Sequence, residues 1–512
     1  MNRLHNVREY ENLLEEHGLL LESDVSAENA DEIISQIGFN SLEVRNNSMF
    51  ICKGAHFQDS YLEDAINRGA AVYVAERRYD LSRFDLRSDQ AIPGIIVSDV
   101  RKAMALIADY YYNQVWKKLS LIGITGTKGK STTAYYVKYI LDDFVAEQKG
   151  QKTAIISSIE NYDGKIFEES RLTTPEAITL HRHFNNAAKQ DIEYLTMEVS
   201  SQGLKYDRVM NVRFKVGCFL NIGIDHISDV EHSGFEDYFS SKLKLFEHSD
   251  IGCVNLDSDY ADRVVAAAME HSDRVISFSR DPQKKADIQA SDIRFDRNGT
   301  TFKVTSDSFE KEFKLMMPGI FNIENALAAI SISYALNIPL HNIYNGLKKA
   351  RVSGRMELFH DPGSDKMVLV DYAHNKMSFE NLFKAMAGEF PNRKIFIVFG
   401  CPGKKAFGRR KELGEIAGRY AAKSYITEED AGEEAVLAIS EEIASHVIAQ
   451  GGECEIIEDR GEAIAKAISD ADDNTLILIT GKGRETRHKR GVVYEETPSD
   501  VELVERALGC KF

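Results

Sequence analysis

Short apolar runs alternate along most of the chain with stretches in which hydrophobic residues return at helical spacing. "SMFICKG" (48–54), "AAVYVAE" (70–76) and "PGIIVSD" (93–99) predict short strands, and "YLEDAINRG" (61–69) a helix between two of them. Further strands are predicted at "LIGIT" (121–125), "TAIISSI" (153–159), "IEYLTMEVS" (192–200) and "FKVGCFLNIG" (214–223). Beyond about residue 351, "KMVLVDYAH", "RKIFIVFGC", "AKSYIT" and "NTLILITGKG" read as strands separated by helices. Alternation of this kind predicts α/β domains with open sheets, which place ligands at the carboxyl ends of their strands. The polar groups "DYAH", "GCPGKK", "TEED" and "GKGRE" all fall at such ends.

At 512 residues the chain is long enough for about three domains. The boundaries are placed at 1–116, 117–350 and 351–512. A composition of 43% hydrophobic and 28% charged residues supports sizeable cores. The net charge of -17 argues against a broad nucleic-acid surface but not against a small anion in a locally basic pocket. Six scattered cysteines show neither zinc spacing nor a disulfide framework, which fits a reducing compartment. The N-terminus carries no apolar signal core and no stretch is long enough to span a membrane, so a cytoplasmic, uninserted protein is expected.

"LIGITGTKGKSTTAYYVKYIL" (121–141) is a strand, a glycine turn and a helix in succession. Gly126 and Gly129 let the backbone amides of Gly126, Thr127, Lys128 and Gly129 curl around phosphate oxygens. Lys130 then reaches the β- and γ-phosphates, and Ser131 or Thr132 can hold Mg²⁺. The following helix adds its N-terminal dipole and is expected to carry Tyr136, Ile140 and Phe144 on one face. Ile124 stands where the strict phosphate-loop pattern has glycine, so this is a shorter variant. Glu198, ending a strand, is a natural Mg²⁺ ligand, although a solvated surface glutamate reads equally well. His226 also follows a strand and is read as a metal ligand or a structural histidine.

"GTKGKST" (126–132), "TTPE" (173–176), "MEVSSQ" (197–202), "NIGIDH" (221–226), "FNIENALAA" (321–329), "GRME" (354–357), "DYAHN" (371–375) and "GKGRE" (481–485) occur in one order. Together they resemble the Mur ligases, most closely the MurE type, across the whole chain. The resemblance implies an N-terminal UDP-binding domain, a central phosphate-loop ATPase domain and a C-terminal Rossmann-like domain. It implies a monomer in which ATP phosphorylates the D-Glu carboxylate of UDP-MurNAc-L-Ala-D-Glu, and a free amino acid displaces phosphate to form the amide. Charge neutralisation and alignment carry such a reaction.

By the same resemblance Glu198 and His226 are Mg²⁺ ligands, Asn322 and Asn325 contact adenine, Arg355 reaches ATP phosphate and Asp371 the ribose. Singly, the asparagines read better as helix caps and the charged residues as ordinary surface groups. Thr173, Thr174, Ser200 and Arg208 would hold the UDP-muramoyl peptide. Ser41, in "FNSLEV", matches the uridine pattern or is a turn serine. Lys242, in "EHSGFEDYFSSKLKLF" (231–246), stands where the family carries a CO₂-derived carbamate that ligates Mg²⁺; otherwise Lys242 and nearby Lys244 are solvated helix lysines.

Lys128 replaces a usual Asn, Tyr206 a usual Gln and Leu42 a usual Arg. Diaminopimelate-adding relatives carry Asp-Asn-Pro-Arg where this chain has "EDAG" (429–432), so Gly432 stands in place of the arginine. Glu428, Glu429, Asp430 and Glu433 put negative charge there, which is read as an acidic helix start or as a pocket for a cationic side chain. Glu485 would add a contact to the amino acid, and Lys405 would bind its α-carboxylate. L-lysine is the expected amino acid, with ornithine or meso-diaminopimelate as alternatives. A ligase for another carboxylate, such as a folate or poly-amino-acid acceptor, and a nucleotide-binding regulator without ligase activity are the rival functions.

Overall fold

The computed structural model describes residues 3–54, 57–87, 92–148, 152–223, 232–296 and 299–509. The chain divides into two compact units, one of residues 1–289 and 327–346, the other of 290–326 and 347–512.

The first unit opens with a five-stranded sheet. Its order is Leu20–Ser23, Gly94–Val97, Ala70–Ala75, Ser48–Ile51, Gln36–Gly38, and only the first, edge strand runs antiparallel. Every residue of Ala70–Ala75 and of Ser48–Ile51 is buried, which explains their uninterrupted apolar runs. The side-chain period of two sends Met49, Ile51, Val72 and Val74 to a core under the helices Val7–Glu16 and Val100–Tyr111. Phe50, Cys52 and Tyr73 pack on the opposite face with Leu62 and Ile66 of the helix Asp59–Asn67.

The same unit holds a larger sheet, in which Ser120–Thr125 lies between Tyr194–Glu198 and Phe214–Phe219, all parallel. Ala154–Ile156 extends it on one side, and Ser249–Asn255 and Arg274–Ser279 on the other. The chain leaves Ser120–Thr125 towards one side and later crosses to the other, so the strand order reverses beside this strand. That is where an open α/β sheet leaves a crevice. The helix Lys130–Gln148 follows the strand and buries Tyr136 and Ile140; Phe144 is half-buried and meets Tyr194 edge-on at 6.3 Å. Burial also takes in Ala134, Tyr135, Val137 and Leu141, so this helix is enclosed on more than the one face the sequence pattern predicts.

In the second unit, strands Gly299–Thr305 and Glu310–Leu315 pair as a hairpin in which the rings of Phe302 and Phe313 stack. A six-stranded sheet follows, in the order Glu357–His360, Met367–Asp371, Thr475–Thr480, Lys394–Phe399, Lys423–Ile426, Cys454–Ile456. All but the first, antiparallel edge strand are parallel, so Asp371, Thr480, Phe399 and Ile426 end at one edge. The four polar groups picked out in the sequence follow these strand ends. A small hairpin, Arg487–Arg490 with Val493–Glu496, stands beside them, bridged to the "TEED" loop through Gly432 and Arg490.

Among the described residues no helix is long and apolar enough to cross a membrane. Cys52, Cys218, Cys253, Cys401 and Cys454 are free thiols.

Candidate functional site

The phosphate loop of the first unit is tied down from the neighbouring strand. Asn221 accepts the Lys128 N–H through Oδ1 at 2.9 Å, donates to the Lys128 carbonyl at 3.1 Å, and receives the Thr127 N–H on its own carbonyl at 3.0 Å. Thr127 Oγ1 lies 3.0 Å from Tyr238 Oη. Gly126 adopts φ +154°, and a Cβ there would stand 2.9 Å from Leu220 Cβ, so the close crossing of loop and strand excludes a side chain. The helix begins at Lys130 itself, which puts its positive dipole end at the loop.

Two amines converge on one oxygen here. Lys130 Nζ and Lys242 Nζ each donate to the Gly126 carbonyl at 2.9 Å, so they stand less than about 6 Å apart. Lys242 is 2% exposed, with its ammonium 4.7 Å from the centre of the Tyr238 ring, and is not a solvated helix lysine; Lys244 is half-exposed. Glu198 is likewise buried rather than solvated. Its Oε1 accepts the Ser158 N–H at 2.8 Å, and Ser158 Oγ lies 3.0 Å from Ser131 Oγ, so the glutamate and the loop serine belong to one polar cluster. Thr132 is buried in the first turn of the helix. His226 lies outside the described residues. No group of three or more His, Cys, Asp or Glu able to hold a metal is found among the described residues.

Beside Glu198, Thr174 Oγ1 lies 3.0 Å from the Glu198 carbonyl oxygen and accepts the Ser200 N–H at 2.9 Å. Ser200 caps the short helix Ser201–Lys205 by accepting the Gly203 N–H. Arg208 donates to the Thr174 carbonyl at 2.9 Å and pairs with Glu176 at 2.9 Å; the other oxygen of Glu176 takes Lys53 at 2.8 Å. Thr173 is half-exposed at the head of this segment. Ser41 is buried in the turn Ser41–Glu43, two residues after Phe39, whose ring lies 5.1 Å from Lys53 Nζ. Tyr206 supports the Arg101 guanidinium at 3.9 Å, and Leu42 is exposed. Sequence reasoning missed Lys53, Glu176 and Asn221 as partners, although the last two stand within the quoted motifs.

In the second unit Asn322 and Asn325 are both buried and bonded to each other at 3.0 Å, and Asn322 donates to the Pro318 carbonyl. Glu389 caps this helix start by accepting the Gly319 N–H at 2.8 Å, and burial pushes its carboxyl up to about 7. Arg355 lies 4.3 Å over the Tyr372 ring. Asp371 accepts the Met356 and Ala373 amides at 2.9 and 2.8 Å.

The four carboxylates read as an acidic field turn out to be largely compensated. Glu428 forms a two-pronged pair with Arg490 at 2.6 and 3.1 Å. Burial opposes its charge, but His488 and Arg490 prevail and hold its carboxyl at about 2. Asp430 accepts Lys482 Nζ and the Lys489 amide, each at 3.0 Å. Lys482 is buried and also takes Glu485, whose other oxygen receives the Tyr372 hydroxyl. Burial works against the Lys482 ammonium, yet Glu485 and Asp430 outweigh it and keep its pKa above the usual lysine value. Glu433 is exposed and pairs with Lys404 at 2.7 Å, apart from that cluster; Lys405 is exposed.

Glu429 differs from the rest. It is buried, and no side-chain hydrogen bond holds it among the described residues. Burial drives its carboxyl up to about 7, against the pull of Arg460 and Lys482. Arg460, fully buried, is what knits these loops together. It grips Asp500 at 2.6 and 2.8 Å and donates to the carbonyls of Glu428 at 3.2 Å and Thr480 at 2.7 Å. Asp500 in turn accepts the Gly483 N–H at 2.9 Å. Gly432, at φ +60°, donates to the Lys489 carbonyl and accepts the Gly491 amide, fastening the loop to the small hairpin.

Comparison with known proteins finds relatives over nearly the whole chain. The model of the Mur ligase middle domain matches residues 124–333, and that of the Mur ligase glutamate ligase domain residues 354–483. The UDP-N-acetylmuramoyl-L-alanyl-D-glutamate–L-lysine ligase of Enterococcus faecalis is 36% identical, over 93% of this chain and 92% of its own. The corresponding 2,6-diaminopimelate ligase of Clostridium perfringens is 33% identical, over 91% and 93%. Among solved structures, a UDP-N-acetylmuramoyl-L-alanyl-D-glutamate–2,6-diaminopimelate ligase superposes with a TM-score of 0.67 at 23% identity, covering 97% of this chain and 98% of that one. With the middle-domain and glutamate ligase domain models matched and relatives above 30% identity over more than nine-tenths of the chain, the chain belongs to the Mur ligase family of ATP-dependent ligases, and within it to the MurE type.

Proposed function

We propose that this ligase adds L-lysine to the D-Glu carboxylate of UDP-MurNAc-L-Ala-D-Glu, in peptidoglycan-precursor synthesis. The observation that carries the choice of amino acid is the pair Glu429 and Gly432. A buried carboxyl without a hydrogen-bonded partner suits a ligand ammonium, and Gly432 offers no guanidinium for a second carboxylate. The lysine-adding relative from Enterococcus faecalis supports the same choice.

In the first unit, the loop amides and Lys130 would receive the phosphates of ATP. Thr174, Ser200 and Arg208, gathered beside Glu198, would orient the acceptor so that its carboxylate oxygen attacks the γ-phosphorus in line and ADP departs. The amine of lysine then attacks the acyl carbon of the mixed anhydride, loses a proton, and expels inorganic phosphate as the amide forms. No protein nucleophile is required, so these residues act by alignment and charge. In the second unit, Glu429 and Glu485 would face the lysine side chain and Lys405 its α-carboxylate. Asn322, Asn325, Arg355 and Asp371 would serve the nucleotide.

Glu198 and Ser131, joined through Ser158, fit Mg²⁺, which takes one or two protein oxygens and completes its shell with phosphate and water. Held there, Mg²⁺ would supply positive charge against the transferring phosphoryl oxygens, and the family resemblance offers His226 as a further ligand. Lys242 fits a carbamate: uptake of CO₂ by its neutral amine releases a proton, keeps an N–H for the Gly126 carbonyl and adds two oxygens. The nearby Lys130 ammonium disfavours a second positive charge and so favours that neutral amine.

The test is ADP release with each component omitted in turn. Release is expected to require both UDP-MurNAc-L-Ala-D-Glu and an amino acid, with L-lysine used well, ornithine less well and meso-diaminopimelate poorly. Equal kcat/KM for lysine and meso-diaminopimelate would overturn the choice of amino acid. Release without the muramoyl acceptor would overturn the acceptor.

A further inference from the structure

We propose that Lys53 belongs to the acceptor-binding site, where it and Arg208 together receive the diphosphate of the UDP-muramoyl peptide and Glu176 is their resident counter-ion. This rests on the acceptor named under Proposed function.

The geometry is that of two cations held ready on one carboxylate. Lys53 Nζ and Arg208 Nη2 take opposite oxygens of Glu176 at 2.8 and 2.9 Å. The side chains of Lys53, Glu176 and Arg208 are only 16%, 14% and 10% exposed, so these are not loose surface pairs. Arg208 is fixed further by its bond to the Thr174 carbonyl, which sets the direction of its planar fork. Its Nε–H, however, is buried and has no hydrogen-bond partner among the described residues. A buried donor left unmade is costly, and one held on a guanidinium beside a second ammonium points to an anionic ligand.

Arg101 adds to the local positive charge, stacked on Tyr206. Burial keeps the pKa of Lys53 below the usual lysine value; Glu176 opposes it, and Arg208 and Arg101 add smaller effects in the same direction as burial. Lys53 and Arg208 share the one carboxylate of Glu176, although the chain as a whole carries a charge of -17.

The position of Lys53 selects the diphosphate over the carboxylates of the peptide. The residue follows the strand Ser48–Ile51 of the N-terminal sheet, and its ammonium lies over Phe39, in the segment "FNSLEV" that carries the uridine-pattern serine. The anionic group adjoining uridine in such a ligand is the diphosphate. On binding, its oxygens would take the free Arg208 Nε–H and share the Lys53 ammonium with Glu176.

Calorimetric titration of UDP, UMP and uridine into the full chain tests this without any turnover. Lys53→Met is expected to weaken UDP binding about 10- to 100-fold, the loss of one charge-assisted hydrogen bond, and uridine binding less than about twofold. Lys53→Arg should restore most of the affinity. In turnover, Lys53→Met should raise KM for the muramoyl acceptor and leave KM for ATP and the amino acid unchanged. Equal UDP affinity in wild type and Lys53→Met, at equal melting temperature, overturns the proposal. Unchanged UDP binding with a raised KM for the acceptor assigns Lys53 to the peptide carboxylates and overturns the diphosphate role. UDP binding that fails in Lys53→Met and in Lys53→Arg alike, with native melting of both, shows a structural lysine and overturns it too. Wild-type activity towards other acceptors would bring down the function proposed above, while the UDP titrations would still decide the role of Lys53.

Discussion

Replacing Glu429 by glutamine isolates a carboxyl that folding moves from about 4.5 to about 7, chiefly by burial. Its folded pKa is raised, so between those values the folded protein keeps a proton that the unfolded chain has released. Stability must therefore be greatest below about pH 4.5 as far as this group is concerned, and fall as pH rises towards 7. At about 1.4 kcal/mol per pKa unit the loss is on the order of 3 kcal/mol, levelling off above pH 7. Glu429→Gln keeps the shape, cannot titrate, and should flatten that part of the profile in urea denaturation between about pH 4.5 and 8. Ligand binding should run the opposite way. The lysine side-chain ammonium stays charged throughout this range. It should favour ionised Glu429, so affinity for L-lysine should rise about tenfold per pH unit up to about 7 and then become flat. In Glu429→Gln the affinity should be low and nearly independent of pH. A wild-type lysine affinity that is constant from about pH 5.5 to 8, or a glutamine variant with the same slope as wild type, would refute the reasoning.

Lys242→Ala should be nearly inactive yet folded, and partly rescued by an added short carboxylate; a bare Lys242 amine in the ATP-bound enzyme at saturating CO₂ would count against the carbamate. Arg460→Met leaves Asp500 buried and unpaired, and should cost about 3–5 kcal/mol in urea denaturation, with Arg460→Lys losing less. Gly432→Arg should not create a diaminopimelate-adding enzyme: φ is +60° there, so the arginine brings about 1–2 kcal/mol of backbone strain, and kcat/KM for meso-diaminopimelate should stay low. Lys130→Ala should abolish most ADP release without lowering the melting temperature.

The phosphate loop was legible because strand, glycines and helix are consecutive, and local periodicity is enough to find them. The strand-end polar groups were legible for the same reason. Burial was not. Glu198 and Lys242 read equally as solvated, since nothing local shows which neighbours will cover them. The "TEED" segment shows the limit most clearly. Its charges read as an acidic field, but Arg490 and Lys482 stand more than 50 residues further on and cancel most of it. Arg460 opens a helix and looks like any surface arginine, yet it is fully buried because Asp500 returns from the last helix to meet it. Lys53 escaped notice since it follows a strand alone, and only the fold brings it to Glu176. The glycine at 432 was read as a missing arginine; its backbone role in joining loop to hairpin depends on φ, which composition does not reveal.

The knot around Arg460 bears on how amino-acid choice can change in such an enzyme. One guanidinium carries the carbonyls of two loops, its aspartate partner carries the amide of Gly483, and the small hairpin is sewn to the first loop by Glu428 and Gly432. Exchanging "EDAG" alone for the Asp-Asn-Pro-Arg of a diaminopimelate-adding relative would take Asp430 from Lys482, leaving it Glu485 alone, and would remove the glycine that joins loop to hairpin. The proposed amino-acid site thus spans a block of three distant segments, and a chimera that moves 427–434, 460 and 480–500 together keeps these pairs intact.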